Sequence, residues 1–347
     1  MKASAYVTSS RKAWEDILDK SSQATPFHSW EWLEVLEKCY PWNCVRLVLE
    51  CDNRPVGVFP FALVPLGNRG IFHIAHSLPP EEFCGPAFID DADERSRQEV
   101  ASRLMDETTI SLGKNWRILG VSASLSPLNY QTPLGQAHWR RLGYEITRYG
   151  DDYATSLVQR SPAIWDEYSK ECRWSVRKAI ERRVTTLEVK DQRLLPECHA
   201  LYAESMAHAR EPATYPLTTF YETFNILNDK AEFYLAEWND QRIGTAIVLS
   251  NSNMAFYWIG GIAREKHYMR VYPLHLLLHN AIEKAKERGV RLFGLGKAPT
   301  KGLRMFKGSW GSQRFETYTV RKYSRAAHVG LRVVPKRIKL RLMGIRS

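Results

Sequence analysis

The chain has 347 residues, an apolar content of 44% and 11 Trp, which indicate two folded domains rather than a disordered chain. No stretch is long and apolar enough to span a membrane, and the N-terminus has no apolar signal segment, so we expect a cytoplasmic protein. The net charge is +11, and residues 321–347 contain nine Lys and Arg and no acidic residue. We expect this basic amphipathic tail to contact RNA phosphates or the anionic inner face of the membrane, with a plainly solvated tail as the alternative.

Neither the cysteines nor the histidines predict a metal site. The six cysteines contain no Cys-x-x-Cys pair and no regular spacing, which also argues against a disulfide framework. His275 and His279 have a helical i, i+4 spacing that suits a metal ion, but the sequence offers no Glu between them and no third ligand. We therefore expect a surface or packing role for both, and no metal.

Helices and strands alternate along the whole chain. The first half predicts helices over residues 10–18 and from Ser29, strands over 43–49 and 55–64, a Pro-rich loop over 77–86, and a helix and strand over 99–112 and 116–121. A boundary falls near residues 150–152. The second half predicts the following elements: a helix that Ser161 and Pro162 begin, helices over 194–209, 217–227 and 274–288, strands over 232–237, 242–249, 254–259, 290–295 and 315–320, and a loop with a helix over 297–311.

A nine-residue pattern occurs twice, 187 residues apart. Residues 49–57 and 236–244 both place an Asn/Asp turn between two strands, and each hairpin precedes an amphipathic helix that ends near a glycine and leads into a short apolar strand. The repeat predicts two mixed α/β domains, over residues 1–153 and 154–320, followed by the tail at 321–347. Two unrelated domains that share a hairpin are the alternative.

No catalytic nucleophile can be recognised. The sequence has no Ser-His-Asp or Cys-His signature and no Walker loop. This absence suits a direct transfer, in which an amine attacks an activated acyl group while the enzyme positions the reactants and stabilises an oxyanion.

The repeated unit resembles acyltransferases of the GNAT superfamily, and two units in tandem resemble the FemABX family of aminoacyltransferases. Four segments carry the resemblance: Phe-His-Ser-Trp-Glu-Trp at 27–32, Ser-Leu-Pro with Cys-Gly-Pro at 77–86, Arg-Lys-Ala-Ile-Glu-Arg at 177–182, and Gly-Leu-Arg-Met-Phe-Lys-Gly-Ser-Trp-Gly at 302–311. The resemblance implies an α/β (α+β) fold of two tandem GNAT-like domains, each a mixed, mostly antiparallel sheet flanked by helices, with an acceptor groove between them. The long helical arm of some family members is absent from the sequence.

The resemblance also implies roles for individual residues. Lys307 corresponds to a lysine at the reaction centre, which would be the catalytic residue. Arg173 and Arg177 resemble positions that hold the phosphates of a nucleotide- or lipid-linked acceptor. The remaining expected substrate-binding residues are Trp30, Tyr257, Trp258, Lys297 and Arg304.

The segment before the helix at 274–288 bears on the acyl carrier. Enzymes that use acyl-CoA hold its diphosphate with a glycine-containing loop at this helix start, but residues 269–275 are Met-Arg-Val-Tyr-Pro-Leu-His. We therefore expect no bound cofactor, and aminoacyl-tRNA as donor to an amine of a phosphorylated or lipid-linked acceptor. One alternative is an acyl-CoA-dependent N-acyltransferase in cell-envelope or exopolysaccharide synthesis. Another is a non-catalytic protein that binds nucleic acid or membrane.

Overall fold

The chain divides into two units. The computed structural model describes residues 2–66, 71–77, 84–112, 117–125, 136–158 and 164–323. The first unit contains Met1–Tyr149 and Glu316–Ser347, and the second contains Gly150–Phe315. The sequence analysis instead placed the first boundary after residue 153 and assigned 316–320 to the second domain. Of the predicted tail, residues 321–323 belong to a strand, and 324–347 lie outside the described residues.

The first unit has helices before and between its strands. Ser29 caps the second helix as expected, because its Oγ accepts a hydrogen bond of 3.2 Å from the Trp32 backbone N–H. The elements in chain order are β1 Ala3–Val7, α1 Arg11–Leu18, α2 Trp30–Cys39, β2 Asn43–Cys51, β3 Arg54–Leu66, β4 Phe72–Ser77, β5 Ala87–Phe88, α3 Glu94–Leu112, β6 Arg117–Ser124, α4 Gln136–Arg141 and β7 Glu145–Ser156, the last of which continues into the second unit.

The sheet of the first unit is mixed and mostly antiparallel. Its strands follow the order β1-β2-β3-β4-β6, and β5 pairs with β3. Among the described strands of this sheet, only β4 and β6 pair in parallel. The strand Gln313–Tyr323, β13, returns from the far end of the described chain and pairs antiparallel with β6 through Thr319–Tyr323. Phe59, Phe61 and Leu104 belong to the buried core that this sheet forms with α3.

The second unit follows the same plan. Its elements after β7 are α5 Ile164–Glu167, α6 Lys170–Glu181, β8 Thr185–Glu188, α7 Leu195–His208, α8 Leu217–Leu227, β9 Ala231–Trp238, β10 Gln241–Ser250, β11 Met254–Ile262, α9 Lys266–Met269, α10 Pro273–Glu287, β12 Leu292–Lys297 and α11 Lys301–Gly308. The strands follow the order β8-β9-β10-β11-β12-β7, and within the described part of this unit only β11 and β12 pair in parallel. The expected mixed, mostly antiparallel sheets flanked by helices are therefore confirmed.

The two hairpins have the same turn. Asp52 and Asn53 have φ angles of 51° and 62°, and Asn239 and Asp240 have 49° and 59°. A left-handed conformation at both central positions defines a type I′ turn, whose twist matches that of the two strands. Asn and Asp tolerate this conformation better than most side chains, which is why the turns can form without glycine.

Each hairpin also contains a β-bulge at the same point of the repeat. In the first, Leu49 pairs with Gly57 and Glu50 with Pro55, so the pairing of β2 with β3 skips Val56. In the second, the corresponding pairing skips Ile243, between Arg242 and Gly244. The sequence repeat therefore extends to the details of strand pairing.

Helices cover both faces of the second sheet. Gly244 faces α10, since a Cβ added there would lie 3.2 Å from Pro273 Cβ. Gly261, opposite Thr245 on the other face, lies against the Leu201 carbonyl of α7. Among the described residues, no helix is both long enough and apolar enough to cross a membrane.

Candidate functional site

The candidate site lies where β11 and β12 separate. The two strands pair only over Met254–Phe256 and Leu292–Gly294. Beyond these residues β12 pairs with β7 through Gly296 and Lys297, whereas β11 continues along β10. Two parallel strands that diverge leave unpaired backbone groups and a gap between them, which a substrate can enter.

A β-bulge lies on β11 beside this gap. Val248 pairs with Tyr257 and Ile247 with Ile259, so the register of β10 with β11 skips Trp258. Bulges next to active sites redirect side chains. Tyr257 folds over Gly260, since a Cβ added to that glycine would lie 1.5 Å from the phenol oxygen. Burial raises the pKa of the Tyr257 phenol above its usual value.

Lys307 lies in the last turn of α11 and is only 8% exposed. Thr300 fixes the start of this helix, because its Oγ1 accepts a hydrogen bond of 3.2 Å from the Leu303 backbone N–H. The Nζ atom of Lys307 donates a hydrogen bond of 2.7 Å to the backbone oxygen of Lys297. Gly296 has a φ of 77°, and a Cβ at this position would lie 3.5 Å from Lys307 Nζ. The ammonium group is thus held against the end of β12.

Asp152 is the acidic residue of the site, and sequence analysis missed it. It lies on β7 opposite Lys297 and is 1% exposed. Its Oδ1 accepts a hydrogen bond of 3.2 Å from the Tyr153 backbone N–H, and its Oδ2 has no hydrogen-bond partner among the described residues. Burial raises the pKa of this carboxyl to about 6, and the positive charges of Lys297 and Lys307 oppose the rise.

These groups suit proton transfer combined with charge stabilisation. A carboxylate with a pKa near 6 exists mainly as a base at neutral pH, yet it can hold a proton briefly. Lysine ammonium groups can stabilise negative charge that develops on a carbonyl oxygen. The arrangement is therefore chemically equipped to deprotonate an attacking amine and stabilise an oxyanion.

Of the other predicted site residues, only some lie in this region. Tyr257, Lys297 and Lys307 surround Gly296, and Arg304 lies on the same helix as Lys307. The Arg304 guanidinium donates a hydrogen bond of 3.1 Å to the Pro299 carbonyl. The Trp258 ring instead packs against Tyr215, with centroids 4.7 Å apart.

Arg173 and Arg177 lie on α6, where each already has a contact within the protein. Arg173 Nη1 donates a hydrogen bond of 3.2 Å to the Asp166 carbonyl. The Arg177 guanidinium lies 5.4 Å from the centroid of the Trp165 ring. Their predicted role in holding acceptor phosphates stays a prediction.

Trp30 belongs to the first unit. Its Nε1 donates a hydrogen bond of 3.1 Å to Glu34, and the Arg46 guanidinium lies 4.1 Å from its ring centroid. Its role in lining an acceptor groove also stays a prediction.

Two of the family-like segments in the first unit contact each other. His28 Nδ1 accepts a hydrogen bond of 3.1 Å from the Thr25 N–H, so its Nε2 carries the hydrogen and donates to the Gly85 carbonyl at 2.9 Å. Cys84 Sγ lies 3.1 Å from the Phe27 carbonyl. Burial lowers the pKa of His28 to about 4, which keeps the ring neutral. This histidine connects the segments at 27–32 and 84–86; residues 78–83 of the predicted loop lie outside the described residues.

The start of α10 is occupied by bulky groups. Tyr272 adopts a left-handed conformation with φ 57° and ψ 44°, and Pro273 is the first helical residue. The Tyr272 ring packs against Trp174 and His275, with centroid distances of 5.2 and 5.8 Å. Proline has no N–H to offer an anion, and the tyrosine ring takes space that glycine would leave open.

His275 and His279 pack among aromatic rings. His275 contacts Phe306 at 5.1 Å between centroids, and His279 contacts Trp165 at 5.2 Å. Burial lowers the pKa of both, that of His275 to about 4. Within the described part of the chain, no three His, Cys, Asp or Glu side chains cluster as a metal site would require.

Comparisons with known proteins agree with the geometry. Residues 167–307 match the model of a family described as "Acetyltransferase (GNAT) domain". The crystal structure of FemX superposes with a TM-score of 0.74 at 12% identity, covering 95% of this chain and 99% of FemX. The structure of L-PGS from Bacillus licheniformis superposes with a TM-score of 0.58 at 13% identity, covering 98% of this chain and 99% of L-PGS. A tandem GNAT protein from the clavulanic acid biosynthesis pathway superposes with a TM-score of 0.52 at 11% identity, covering 93% of this chain and 98% of that protein.

A search of curated protein sequences gave no match. The fold is a FemABX-like tandem GNAT fold, as the sequence resemblance predicted. The class that these findings support is that of GNAT-fold acyltransferases.

Proposed function

We propose that this protein transfers an aminoacyl group from aminoacyl-tRNA to an amine of a phosphorylated, nucleotide- or lipid-linked acceptor. The observation that carries the proposal is the buried Asp152 carboxylate, which interacts electrostatically with Lys297 and Lys307 at the end of β12, beyond the residues that pair β12 with β11. We place the reaction in the cytoplasm, or at the inner face of the membrane where the acceptor is lipid-linked.

The reaction forms an amide from an ester. The acceptor nitrogen attacks the ester carbonyl carbon, and Asp152 Oδ2 accepts the proton that the nitrogen loses. Lys307 stabilises the negative charge on the carbonyl oxygen. The carbon–oxygen bond to the tRNA ribose then breaks, and the proton passes from Asp152 to the departing ribose oxygen. No covalent enzyme intermediate is needed, which agrees with the absence of a nucleophile signature in the sequence.

Two observations favour an aminoacyl ester over acyl-CoA as the donor. The N-terminus of α10 begins with Tyr272 and Pro273, so it lacks the open backbone that would hold a CoA diphosphate. The basic sequence of residues 324–347 adds charge that suits tRNA phosphates.

Acyl-CoA-dependent N-acyltransfer is the second candidate. The matching family model is described as an acetyltransferase domain, and it covers the strands and helices that carry Lys297 and Lys307. The same base and ammonium groups would serve this reaction. The two candidates therefore differ in the carrier and not in the chemistry at the carbonyl.

The decisive comparison offers both donors to the purified protein. One sample receives a mixture of charged tRNAs and the other receives acetyl-CoA, each with a cell extract as the source of acceptor. We expect one class of tRNA to lose its amino acid faster than with the Lys307→Ala variant, while acetyl-CoA is consumed equally with both proteins. Lys307-dependent consumption of acetyl-CoA alone would contradict the proposal and establish the second candidate.

A further inference from the structure

A pocket of about 520 Å³ lies in the second unit, next to the residues that precede α10, and none of Asp152, Tyr257, Lys297 and Lys307 lines it. Four parts of the chain form it: the end of α6, the last residue of β9, the helix α9 and the residues just before α10. Its volume falls within the range of ordinary small-molecule sites. The lining residues are Arg182, Trp238, Lys266, His267, Arg270 and Val271.

The charged side chains that line this pocket are all positive. Arg182, Lys266 and Arg270 are all exposed, and none of the three forms an ion pair with a described residue. The lining includes no Asp or Glu, and nearby Glu181 is paired with Lys178 at 2.5 Å. Three unpaired cations around one pocket attract a ligand that carries negative charge, and guanidinium groups in particular suit phosphate oxygens.

Hydrogen bonds hold two of the lining groups in place. Arg182 Nη1 donates to the Arg270 carbonyl, which fixes the guanidinium at the edge of the pocket. Trp238 Nε1 donates a hydrogen bond of 2.9 Å to the Arg182 carbonyl. A guanidinium has five N–H donors, so the contact with Arg270 leaves donors that a phosphate can use.

The pocket lining also contains aromatic and apolar side chains. The Trp238 ring lies 6.4 Å from His267 and 6.2 Å from Tyr268 between centroids. Val271, which is 2% exposed, completes the lining. A fixed indole beside cations is the combination that binds a planar base next to a phosphate, because bases stack on aromatic rings.

We propose that this pocket binds a nucleoside phosphate, with the phosphate among Arg182, Lys266 and Arg270 and the base against Trp238. A phospholipid headgroup would use the cations but has no planar ring for the indole. The aromatic side chains of the lining therefore favour a nucleotide, either free or as part of a larger ligand.

Calorimetric titration of the full chain with AMP and UMP tests the proposal, with inorganic phosphate and phosphatidylglycerol vesicles as comparisons. We expect the nucleotides to bind at least about tenfold more tightly than phosphate, because only they contact the indole. Lys266→Gln and Arg270→Gln should each weaken nucleotide binding about tenfold. Trp238→Leu should weaken nucleotide binding and leave phosphate binding unchanged.

Arg183→Gln is the matched control, since Arg183 is an exposed arginine next to Arg182 that does not line the pocket. Its affinity for nucleotides should equal that of the unmodified protein. Absence of nucleotide binding at millimolar concentration, an equal loss in Arg183→Gln, or binding to vesicles but not to nucleotides would each overturn the proposal. The titrations contain no acyl donor, so their result is independent of the proposed acyl transfer.

Discussion

Lys307 Nζ donates a hydrogen bond of 2.7 Å to the backbone oxygen of Lys297. The bond connects the last turn of α11 to the end of β12, the strand that leaves β11 to form the gap. Because a backbone carbonyl carries no net charge, this bond fixes the position of Nζ without forming an ion pair. A lysine held in this way can stabilise an oxyanion without reorganising during the reaction.

Replacing Lys307 by alanine should abolish most activity and leave the fold intact. Loss of a group that stabilises an oxyanion lowers kcat by about 10² to 10³-fold. Acyl transfer is measured with the donor that the comparison above identifies, and circular dichroism reports the fold.

Lys301→Ala is the control, since Lys301 is an exposed lysine at the start of the same helix. It should retain normal activity. Equal activity of the Lys307→Ala and Lys301→Ala variants would exclude a catalytic role for Lys307.

The rate of transfer should depend on the ionisation of Asp152. Because a general base works only when deprotonated and the pKa of Asp152 is about 6, the rate should rise with pH and level off above about pH 7. Asp152→Asn should lower the plateau by about 10² to 10⁴-fold and remove this rise. Asp151→Asn, which changes the neighbouring carboxylate on β7, should keep both the plateau rate and the rise of the rate with pH. If the rate of the Asp152→Asn variant still rises with pH, the ionisation that controls the rate belongs to another group.

The same substitution should stabilise the protein at neutral pH. Burial raises the pKa of Asp152 from 3.8 to about 6, so the folded state holds this proton more tightly than the unfolded state does. The stability gained from the protonated carboxyl is complete below about pH 3.8 and is lost as pH rises through about 6. Asn does not ionise, so at pH 7.5 Asp152→Asn should unfold with a free energy up to about 3 kcal/mol greater than that of the unmodified protein.

Urea unfolding at pH 4 and pH 7.5 measures this effect. The difference in the free energy of unfolding between Asp152→Asn and the unmodified protein should be small at pH 4 and large at pH 7.5. A difference that does not change with pH would show that Asp152 titrates in the folded protein as it does in the unfolded chain.

Alanine variants of Gly296 and Gly289 distinguish the effect of backbone strain from the effect of a methyl group close to Lys307. Their φ angles are 77° and 75°, but a Cβ at Gly296 would lie 3.5 Å from Lys307 Nζ, whereas one at Gly289 would meet no atom within 4 Å. Alanine at either position should cost about 1 kcal/mol of stability from the left-handed backbone. Only Gly296→Ala should also lower transfer activity, by roughly tenfold, because its methyl group would lie in van der Waals contact with the ammonium and would exclude other groups from that side. Equal activity of the two variants would place the reaction away from Lys307.

The repeated fold could be predicted because its signals are local. An Asn/Asp turn between apolar strands and a glycine after an amphipathic helix depend on neighbouring residues, so the hairpins and α10 lie close to their predicted positions. Lys307 could be predicted as a site residue because it lies within a contiguous motif, residues 302–311.

Asp152 could not be predicted in the same way. The segment Gly150-Asp151-Asp152 indicates a domain boundary, and the second unit does begin at Gly150, but a strand, β7, runs through the boundary. The function of Asp152 depends on burial and on pairing with Lys297, which is far away in the sequence. The bulge at Trp258 and the pairing of β13 with β6 depend on long-range register for the same reason.

A crystal structure of the protein soaked with acetyl-CoA tests the central claim, that the start of α10 does not accept the diphosphate of an acyl carrier. We predict that no diphosphate lies against the backbone of residues 273–275, because Tyr272 and Pro273 occupy its approach. A diphosphate bound there, with the acetyl group directed to Asp152 and Lys307, would contradict the account and identify acyl-CoA as the donor.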